Sequence, residues 1–255
     1  MTFDHLLAKR TESMGASAIR EILKVVNQPG MVSLAGGLPA YESFPMGIMR
    51  ELADLVDEKY GAKAFQYDAT EGFEPLREAL TGFLANKGVA ATADEVLITS
   101  GSQGILDAIA KILVDPGDVI AVEAPTYLGA LQAFNPYQPR YAQMDTDEDG
   151  VIPDSMEAVL QANAVKLVYL TPTFQNPTGR TLTVERRKAV AELAQRFNVL
   201  IIEDDPYSDL RYSGEVVPTI KSFAPEHVAY AGTLSKILAP GLRLGFCIAP
   251  PLVRQ

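Results

Sequence analysis

The sequence has very few residues of the types that form disulfides or hold metal ions. Its 255 residues include one cysteine, two histidines and no tryptophan. The single cysteine, Cys247, excludes a disulfide within the chain, and so few cysteine and histidine side chains leave little for a zinc site. We therefore expect no metal centre in this protein.

Long apolar runs and an excess of positive charge are also missing. No stretch approaches the roughly 20 apolar residues that span a membrane, and the start, MTFDHLLAKR, lacks the apolar core of a secretion signal. The net charge is −10, from 22 basic and 32 acidic residues, which disfavours binding to nucleic acid or to an anionic membrane. These absences predict a soluble, cytoplasmic protein.

From Asp94 onward, short apolar runs alternate with helical patterns. The runs that predict buried strands are Val96–Thr99, Val119–Val122, Leu167–Leu170, Val199–Ile202, Val228–Ala231 and Leu244–Ile248. The helical patterns are Ser102–Val114, Thr126–Phe134, Asp154–Gln161 and Thr183–Phe197, and each opens with a residue that suits an N-cap. Strands that alternate with helices predict an α/β fold, with a mostly parallel sheet between layers of helices.

The first ninety residues follow a different pattern. Helices are predicted at Ala16–Asn27 and Pro75–Lys87, and the second has proline at its start and Gly88 just beyond its end. Between them we interpret SLAGGLPAYESFP and AFQYDATEGFEP as irregular, glycine-rich chain. We therefore divide the sequence into residues 1–90, an N-terminal helix and an arm that packs on a neighbour, and residues 91–255, the large α/β domain.

The segment GTLSKILAPGLRLG carries the most specific chemistry in the sequence. Lys236 comes soon after a predicted buried strand, and a desolvated lysine has a lowered pKa and acts as a nucleophile. Thr233, Ser235 and Arg243 supply the hydroxyl groups and the forked cation that bind a phosphate monoester. The same residues also suit an ordinary surface turn, so this segment alone leaves both interpretations open.

Three further segments place polar residues where predicted strands end. Residues 100–104 (SGSQG) open a helix directly after a strand, which predicts either an anion site or a simple capped helix. Residues 176–179 (NPTG) form a turn after another strand. Residues 203–205 (EDD) end a buried run, where desolvated carboxylates require a positive partner. Ligands of α/β sheets bind at the carboxyl ends of strands, where all three segments lie.

Together these segments resemble the fold-type-I enzymes that use pyridoxal 5′-phosphate (PLP), in the class I aminotransferase family. Within that family the chain is most similar to the 2-aminoadipate and aromatic (kynurenine-type) branch. The resemblance runs from about Ser13 onward, through SAIREILK, SLAGGLP, FQY, TSGSQ, EAPTY, QNPTG, EDDPY and SKILAPGLRLG. It implies PLP as the cofactor, an amino acid and a 2-oxo acid as substrates, and a homodimer.

The resemblance also implies a role for each matching residue. Lys236 holds PLP as a Schiff base and shuttles the proton between the cofactor and the substrate Cα, while Asp204 pairs with the pyridine nitrogen. Asn176 and Tyr207 bind the phenolic oxygen of the ring. The other implied cofactor ligands are Tyr127 on the ring face, Ser102, Gln103, Thr233, Ser235 and Arg243 at the phosphate, and Tyr67 at the phosphate of the other subunit.

Substrate contacts are implied for Ser17, Arg20, Gly37 and Asn176. In the resembling branch, a serine and an arginine at the first two positions meet the side-chain carboxylate of an acidic donor such as 2-aminoadipate or glutamate. The forked donors of Arg20 match a carboxylate, although an arginine beside Glu21 is also typical of a solvated helix face. Family members continue into a small C-terminal domain whose arginine binds the α-carboxylate. We expect that domain to be absent from this chain.

Two other functions stay open at this point. SGSQG approaches the G-x-S-x-G elbow of serine hydrolases, with Ser102 as the nucleophile and His227 downstream, but the first glycine is missing. A PLP-binding regulator carries a winged-helix domain ahead of this region, and the residues before Ser13 are too few to form one. The sequence therefore predicts a PLP-dependent aminotransferase or, without the small domain, a catalytically incomplete PLP-binding fragment.

Overall fold

A mostly parallel β-sheet is the centre of the computed structural model, which describes residues 3–14 and 37–254. In chain order the strands are β1 (Leu97–Ser100), β2 (Val119–Glu123), β3 (Arg140–Met144), β4 (Thr146–Asp147), β5 (Gly150–Val151), β6 (Val165–Leu170), β7 (Leu200–Asp205), β8 (Val228–Thr233) and β9 (Leu244–Ile248). Strands β4 and β5 pair as a short hairpin. The other seven form one sheet in the order β1-β9-β8-β7-β6-β2-β3.

The direction of the last strand brings an additional segment to the functional edge of the sheet. Strands β3, β2, β6, β7 and β8 are parallel to one another, and β9 is antiparallel to both β8 and β1. The first residues of β9 therefore lie at the same edge as the carboxyl ends of the other strands. Thr233 pairs with Gly245, only two residues beyond Arg243. This arrangement confirms the predicted mostly parallel α/β sheet.

Helices cover both faces of this sheet. In chain order they are α1 (Met46–Tyr60), α2 (Glu74–Ala85), α3 (Ser102–Leu113), α4 (Leu128–Phe134), α5 (Pro153–Ala162), α6 (Val184–Phe197), α7 (Ile220–Phe223) and α8 (Pro251–Arg254). Helices α3 and α4 pack on one face, and α2, α5 and α6 pack on the other. Because side chains alternate along a strand, Tyr169 of β6 contacts the first layer and its neighbour Val168 contacts the second.

Short 3₁₀-helices connect several of these elements. They are Asp4–Leu6, Lys9–Ser13, Tyr41–Ser43, Gly61–Phe65, Ala93–Glu95, Asn135–Tyr137, Ser208–Leu210 and Pro240–Leu242. Helix α2, which begins in the region predicted to be an arm, packs Leu80 and Leu84 against Tyr230, Phe246 and Ile248 of the sheet. Within the described residues, no helix has both the length and the apolar character needed to cross a membrane.

Of the α-helices and strands longer than four residues, two were not predicted from the sequence. The long helix α1 lies between the two stretches that were interpreted as irregular, where no element was predicted. Its apolar residues Ile48, Leu52, Leu55 and Val56 recur at helical spacing, so the sequence does carry a helical pattern there, although no residue of the helix is buried in the structure. Strand β3 (RYAQM) has no apolar run because it is an edge strand that is mostly half-exposed and pairs with β2. The predicted helix Ala16–Asn27 lies outside the described residues.

The predicted N-caps were mostly wrong. Among the four helices that were predicted in residues 91–255, only α6 has its predicted cap, in which Thr183 accepts a hydrogen bond from the backbone N–H of Arg186. Gly101, Tyr127 and Ile152 occupy the N-cap positions of α3, α4 and α5, and none of them makes a side-chain cap. The first turn of α3 therefore keeps backbone donors that no capping side chain satisfies.

Candidate active site

A cavity of about 660 Å³ opens at the edge of the sheet where the polar segments meet. Eleven of the fourteen predicted site residues line it: Gly37, Ser102, Gln103, Tyr127, Asn176, Asp204, Tyr207, Thr233, Ser235, Lys236 and Arg243. Ser17 and Arg20 lie outside the described residues. Tyr67 is 98% exposed and does not line the cavity of its own chain.

Lys236 lies in the loop that follows β8, and its side chain is half-buried in the cavity wall. Its Nζ donates a hydrogen bond to the carbonyl oxygen of Gly37 at 3.4 Å. Desolvation lowers the pKa of this amine, since burial disfavours its charged form. An amine with a lowered pKa is more often unprotonated, which is the form that attacks a carbonyl carbon.

Asp204 places a buried carboxylate at the end of β7. Its Oδ2 accepts a hydrogen bond from the Tyr169 hydroxyl at 2.8 Å, whereas its Oδ1 is buried without a partner among the described residues. Burial raises the pKa of Asp204 to about 7, the Tyr169 hydrogen bond opposes that rise, and the neighbouring Asp205 adds to it. A buried oxygen of this kind calls for a cationic donor, which a ligand in the cavity can supply.

Asn176 and Tyr207 form the polar wall next to Asp204. The Asn176 Nδ2 donates a hydrogen bond to the Tyr207 hydroxyl at 3.4 Å, and burial raises the pKa of this tyrosine. The turn that carries Asn176 is held by Gln175, whose Oε1 accepts from the backbone N–H and from the hydroxyl of Thr178, both at 2.8 Å. The two side chains therefore present an amide and a hydroxyl to the same part of the cavity.

An anion-binding group forms where the start of α3 meets the start of β9. Gly101 has φ of +79°, and a Cβ at this position would overlap the Arg243 guanidinium. A Cβ at Gly245 would likewise collide with the backbone of the same turn. These two glycines therefore allow Arg243 to lie against the free N–H groups of the first turn of α3, and both features attract a phosphate.

Hydroxyl groups complete this anion-binding group. Thr233 Oγ1 lies 3.0 Å from Ser235 Oγ and also accepts from the Ser235 backbone N–H at 3.2 Å. Ser102 is the first residue of α3 and lines the cavity. The Gln103 side chain instead donates to the Gly129 carbonyl oxygen at 2.8 Å, so this residue offers an anion mainly its backbone N–H.

Tyr127 lies on the α4 side of the cavity. Its ring folds back over Gly129, where a Cβ would overlap it, so glycine is needed at that position. Burial raises the pKa of the Tyr127 hydroxyl, and the nearby Asp204 raises it further. The ring is therefore a neutral, largely buried aromatic surface beside the carboxylate.

Three residues of this site that carry hydroxyl groups were not predicted from the sequence. Thr126 and Thr171 line the cavity, and Tyr169 lies behind Asp204. A signal for Tyr169 was available, because it is the one residue with a hydroxyl in the buried run LVYL, and a buried tyrosine hydroxyl usually has a hydrogen-bond partner. Its partner could not be deduced without knowing that β6 lies beside β7.

The serine-hydrolase alternative does not fit this geometry. Ser102 lies at the cavity, whereas His227 directly precedes β8 and so lies at the opposite end of that strand from Lys236. A strand of this length spans about 20 Å, far beyond hydrogen-bond reach. His227 therefore cannot serve as a base for Ser102.

Comparisons with known proteins show the family of this chain. Residues 30–255 match the family model for aminotransferase class I and II. The chain is 46% identical over 258 residues to aromatic-amino-acid aminotransferase 1 of Thermococcus litoralis, across 98% of this chain and 62% of that relative. It is 38% identical over 259 residues to 2-aminoadipate transaminase of Thermus thermophilus, across 100% of this chain and 64% of that relative.

A solved structure has the same fold as this chain. The kynurenine aminotransferase of Pyrococcus horikoshii, solved in complex with PMP and with KYN and KYA as substrates and products, is 44% identical to this chain. The two folds superpose with a TM-score of 0.92 over 98% of this chain and 64% of that one. The chain thus spans a little under two thirds of the length of these relatives.

Proposed function

Because this chain belongs to the class I and II aminotransferases, we propose that it binds PLP through Lys236. We propose further that the protein moves an amino group from an amino acid to a 2-oxo acid. One observation carries the proposal. The unpartnered Asp204 Oδ1 lies in the same cavity as a half-buried lysine and an anion-binding group. PLP has a ring nitrogen that can be protonated, an aldehyde and a phosphate, so the cavity offers a partner for each of these groups.

The cavity residues divide according to the part of PLP that each would hold. Lys236 would form the covalent link to the aldehyde carbon, and Asp204 Oδ1 would accept the hydrogen of the ring nitrogen. Asn176 and Tyr207 would bind the phenolic oxygen, and Tyr127 would cover a ring face. The phosphate would bind the first turn of α3 with Ser102, Gln103, Thr233, Ser235 and Arg243.

The chemistry then divides between the cofactor and the protein. Bound PLP supplies an electron sink that stabilises negative charge at the substrate Cα. Asp204 keeps the ring nitrogen protonated, because a buried carboxylate favours a cation beside it. The Lys236 amine, once the amino acid has taken its place, holds and moves the proton at Cα, a task for which a lowered pKa suits it.

A labelling experiment tests this assignment. Incubation with PLP and then borohydride is expected to place a pyridoxyl group on Lys236, as located by peptide mass spectrometry, because this amine faces the cavity. Lys221 is the matched control, since its Nζ donates to the carbonyl oxygens of Pro225 at 2.6 Å and Val228 at 2.8 Å. The Lys236→Ala variant should carry no adduct. An adduct on Lys221, or none on folded wild-type protein, would refute the proposal.

For the substrates, we propose 2-aminoadipate, glutamate and aromatic amino acids as donors and a 2-oxo acid as acceptor. The support comes from the names of the relatives, which act on aromatic amino acids and on 2-aminoadipate. Gly37 and Asn176 line the cavity, whereas the implied contacts of Ser17 and Arg20 stay a prediction. The preferred donor can be identified with PLP-loaded protein, because the absorbance of the cofactor changes when a donor transfers its amino group to it.

We also propose a homodimer in which Tyr67 reaches the phosphate site of the partner subunit. Helix α1 exposes Ile48, Leu52, Leu55 and Val56, which are between 42% and 55% exposed and recur at helical spacing. Tyr67 lies beyond this helix and is almost fully exposed. A row of apolar side chains on one surface is typical of a protein interface.

The dimer proposal predicts a clear result in sedimentation. Leu55→Glu is expected to convert a dimer to a monomer at micromolar concentration, because it places a charge within an apolar interface. Ile112→Glu is the matched control, since Ile112 is 57% exposed on α3, outside the α1 face. A wild-type protein that binds PLP yet sediments as a monomer would contradict the dimer.

A further inference from the structure

Tyr169 is a fully buried residue of β6 whose hydroxyl group contacts Asp204. Its Oη donates to Asp204 Oδ2 at 2.8 Å and lies 3.2 Å from Thr171 Oγ1. The ring packs edge-on against Phe134, with 5.8 Å between the ring centroids. Tyr169 has no exposed surface, so its hydroxyl is held in place by the core around it.

The contact makes the two oxygens of the Asp204 carboxylate inequivalent. Oδ2 is satisfied by a protein donor, while Oδ1 stays without a partner among the described residues. A carboxylate fixed through one oxygen cannot rotate freely, so the other oxygen keeps a constant direction. The carboxylate is thus oriented before any ligand binds.

We propose that Tyr169 is a positioning residue that favours the ionised form of Asp204 and keeps its Oδ1 directed at the ring nitrogen of PLP. The inference rests on the proposed function and adds a residue to it. A hydrogen bond donated to a carboxylate stabilises its charged form and makes it less basic. A less basic carboxylate leaves the shared proton on the ring nitrogen, where the electron sink requires it.

Other groups around Asp204 act differently. Burial raises its pKa most, Asp205 on the same strand raises it too, and the Tyr169 hydrogen bond is what lowers it. Tyr127 and Tyr207 line the cavity beside it, and burial raises the pKa of both. The positively charged side chains that line the cavity, among the described residues, are Lys236 and Arg243.

Strand β8 provides a matched control for Tyr169. Tyr230 is equally buried, and its hydroxyl donates to Asp205 Oδ2 at 2.7 Å. Each tyrosine therefore gives one buried hydrogen bond to one of two consecutive aspartates. Asp205 points to the opposite face of the sheet, away from the cavity. Removal of either hydroxyl should cost similar stability, but only Tyr169 should affect the cofactor.

The experiment compares Tyr169→Phe with Tyr230→Phe by NMR. In cofactor-free protein, the titration of the Asp204 ¹³Cγ resonance is expected to move to higher pH by about one unit in Tyr169→Phe and to stay unchanged in Tyr230→Phe. In protein loaded with PLP labelled at the ring nitrogen, the ¹⁵N resonance should move toward that of unprotonated pyridine in Tyr169→Phe alone. Thermal unfolding of both variants checks that the losses of stability match.

A third variant keeps the test decisive if Tyr169→Phe does not fold. Trifluorotyrosine at position 169 keeps the shape of the ring but donates a stronger hydrogen bond, so it should move the Asp204 titration to lower pH. An unchanged titration in the variants at position 169, or equal changes in Tyr230→Phe, overturns the inference. Wild-type protein without PLP on Lys236 would instead refute the proposed function, and the cofactor-free titration would still decide whether Tyr169 tunes Asp204.

Discussion

Asp204→Asn is expected to reduce proton transfer at the substrate Cα by about 10²–10³-fold or more, while Asp205→Asn leaves it near the wild-type rate. The reason is that the two aspartates face opposite sides of the sheet. Asp204 lines the cavity, and an asparagine there cannot hold a cationic ring nitrogen. Loss of deuterium from the donor Cα, measured on PLP-loaded protein, gives the rate.

Asp205 supplies the control because its contacts are structural. Its Oδ2 accepts from the hydroxyls of Tyr230 at 2.7 Å and Ser208 at 2.6 Å, and it lies 3.5 Å from Lys87 Nζ. Asp205→Asn should therefore lower the melting temperature with little effect on the chemistry. The reverse ranking of the two variants would show that the assignment of the ring-nitrogen partner is wrong by one residue.

The cofactor-free protein gives an independent check on Asp204. Its pKa is about 7 in the folded chain, against 3.8 for an unperturbed group. Between these values the folded state binds more protons than the unfolded state, so stability falls as the pH rises from about 4 to 7. Asp204→Asn removes this pH-dependent loss of stability, and the cofactor-free variant is therefore expected to be more stable than the wild type at pH 8.

Much of this site could be predicted from sequence because its residues follow directly after apolar strands. A buried run such as VLII indicates a strand whatever its neighbours are, and polar residues at its end must lie at one edge of the sheet. For this reason Asp204, Asn176 and Lys236 could be predicted from the sequence to lie close together. It also explains why the predicted strands agree closely with β2, β6, β7, β8 and β9.

The remaining features depend on which strands are neighbours. The Tyr169 hydrogen bond requires β6 beside β7, and the approach of Arg243 to α3 requires β9 to run against β1. Neither pairing leaves a pattern in a single sequence. Ser102 shows a different difficulty, because the same serine suits an N-cap and a phosphate ligand, and only the structure shows that it makes no cap.

The consecutive arginines of α6 provide the second large effect, on stability. Arg187 is 1% exposed, and its guanidinium donates to the carbonyl oxygens of Pro172 at 2.8 Å and Leu182 at 3.1 Å. It also donates to Thr173 Oγ1 at 2.8 Å and lies 3.6 Å from the buried Glu203 carboxylate. One side chain therefore ties the end of β6 to the end of β7, the strands that lead to Asn176 and Asp204.

Arg187→Met is expected to lower the free energy of unfolding by about 3–5 kcal/mol, because the buried Glu203 carboxylate loses its positive partner and several buried carbonyl oxygens lose a donor. Arg186→Met is the matched control. Arg186 pairs with Asp147, which is 46% exposed, and donates to the carbonyl oxygens of Gly150 and Val151. Because solvent screens this ion pair, its loss should be smaller than that of the buried Arg187 contacts. Urea unfolding of both variants measures the difference, and equal losses would show that burial of the Arg187 contacts does not decide the stability.

The pH dependence separates the charge from the other contacts of Arg187. Burial raises the pKa of Glu203 to about 7, and Arg187 opposes that rise. Without the arginine the pKa of Glu203 must rise further, so the folded variant takes up a proton over a wider range above the unfolded value of 4.5. Both folded proteins hold this proton up to about pH 7, so the destabilisation of the variant relative to the wild type should grow only as the pH rises above about 7. At pH 4, where Glu203 is protonated in both states, only the loss of the hydrogen bonds to Pro172, Thr173 and Leu182 should remain. A loss independent of pH would assign the whole effect to those hydrogen bonds and none to the ion pair.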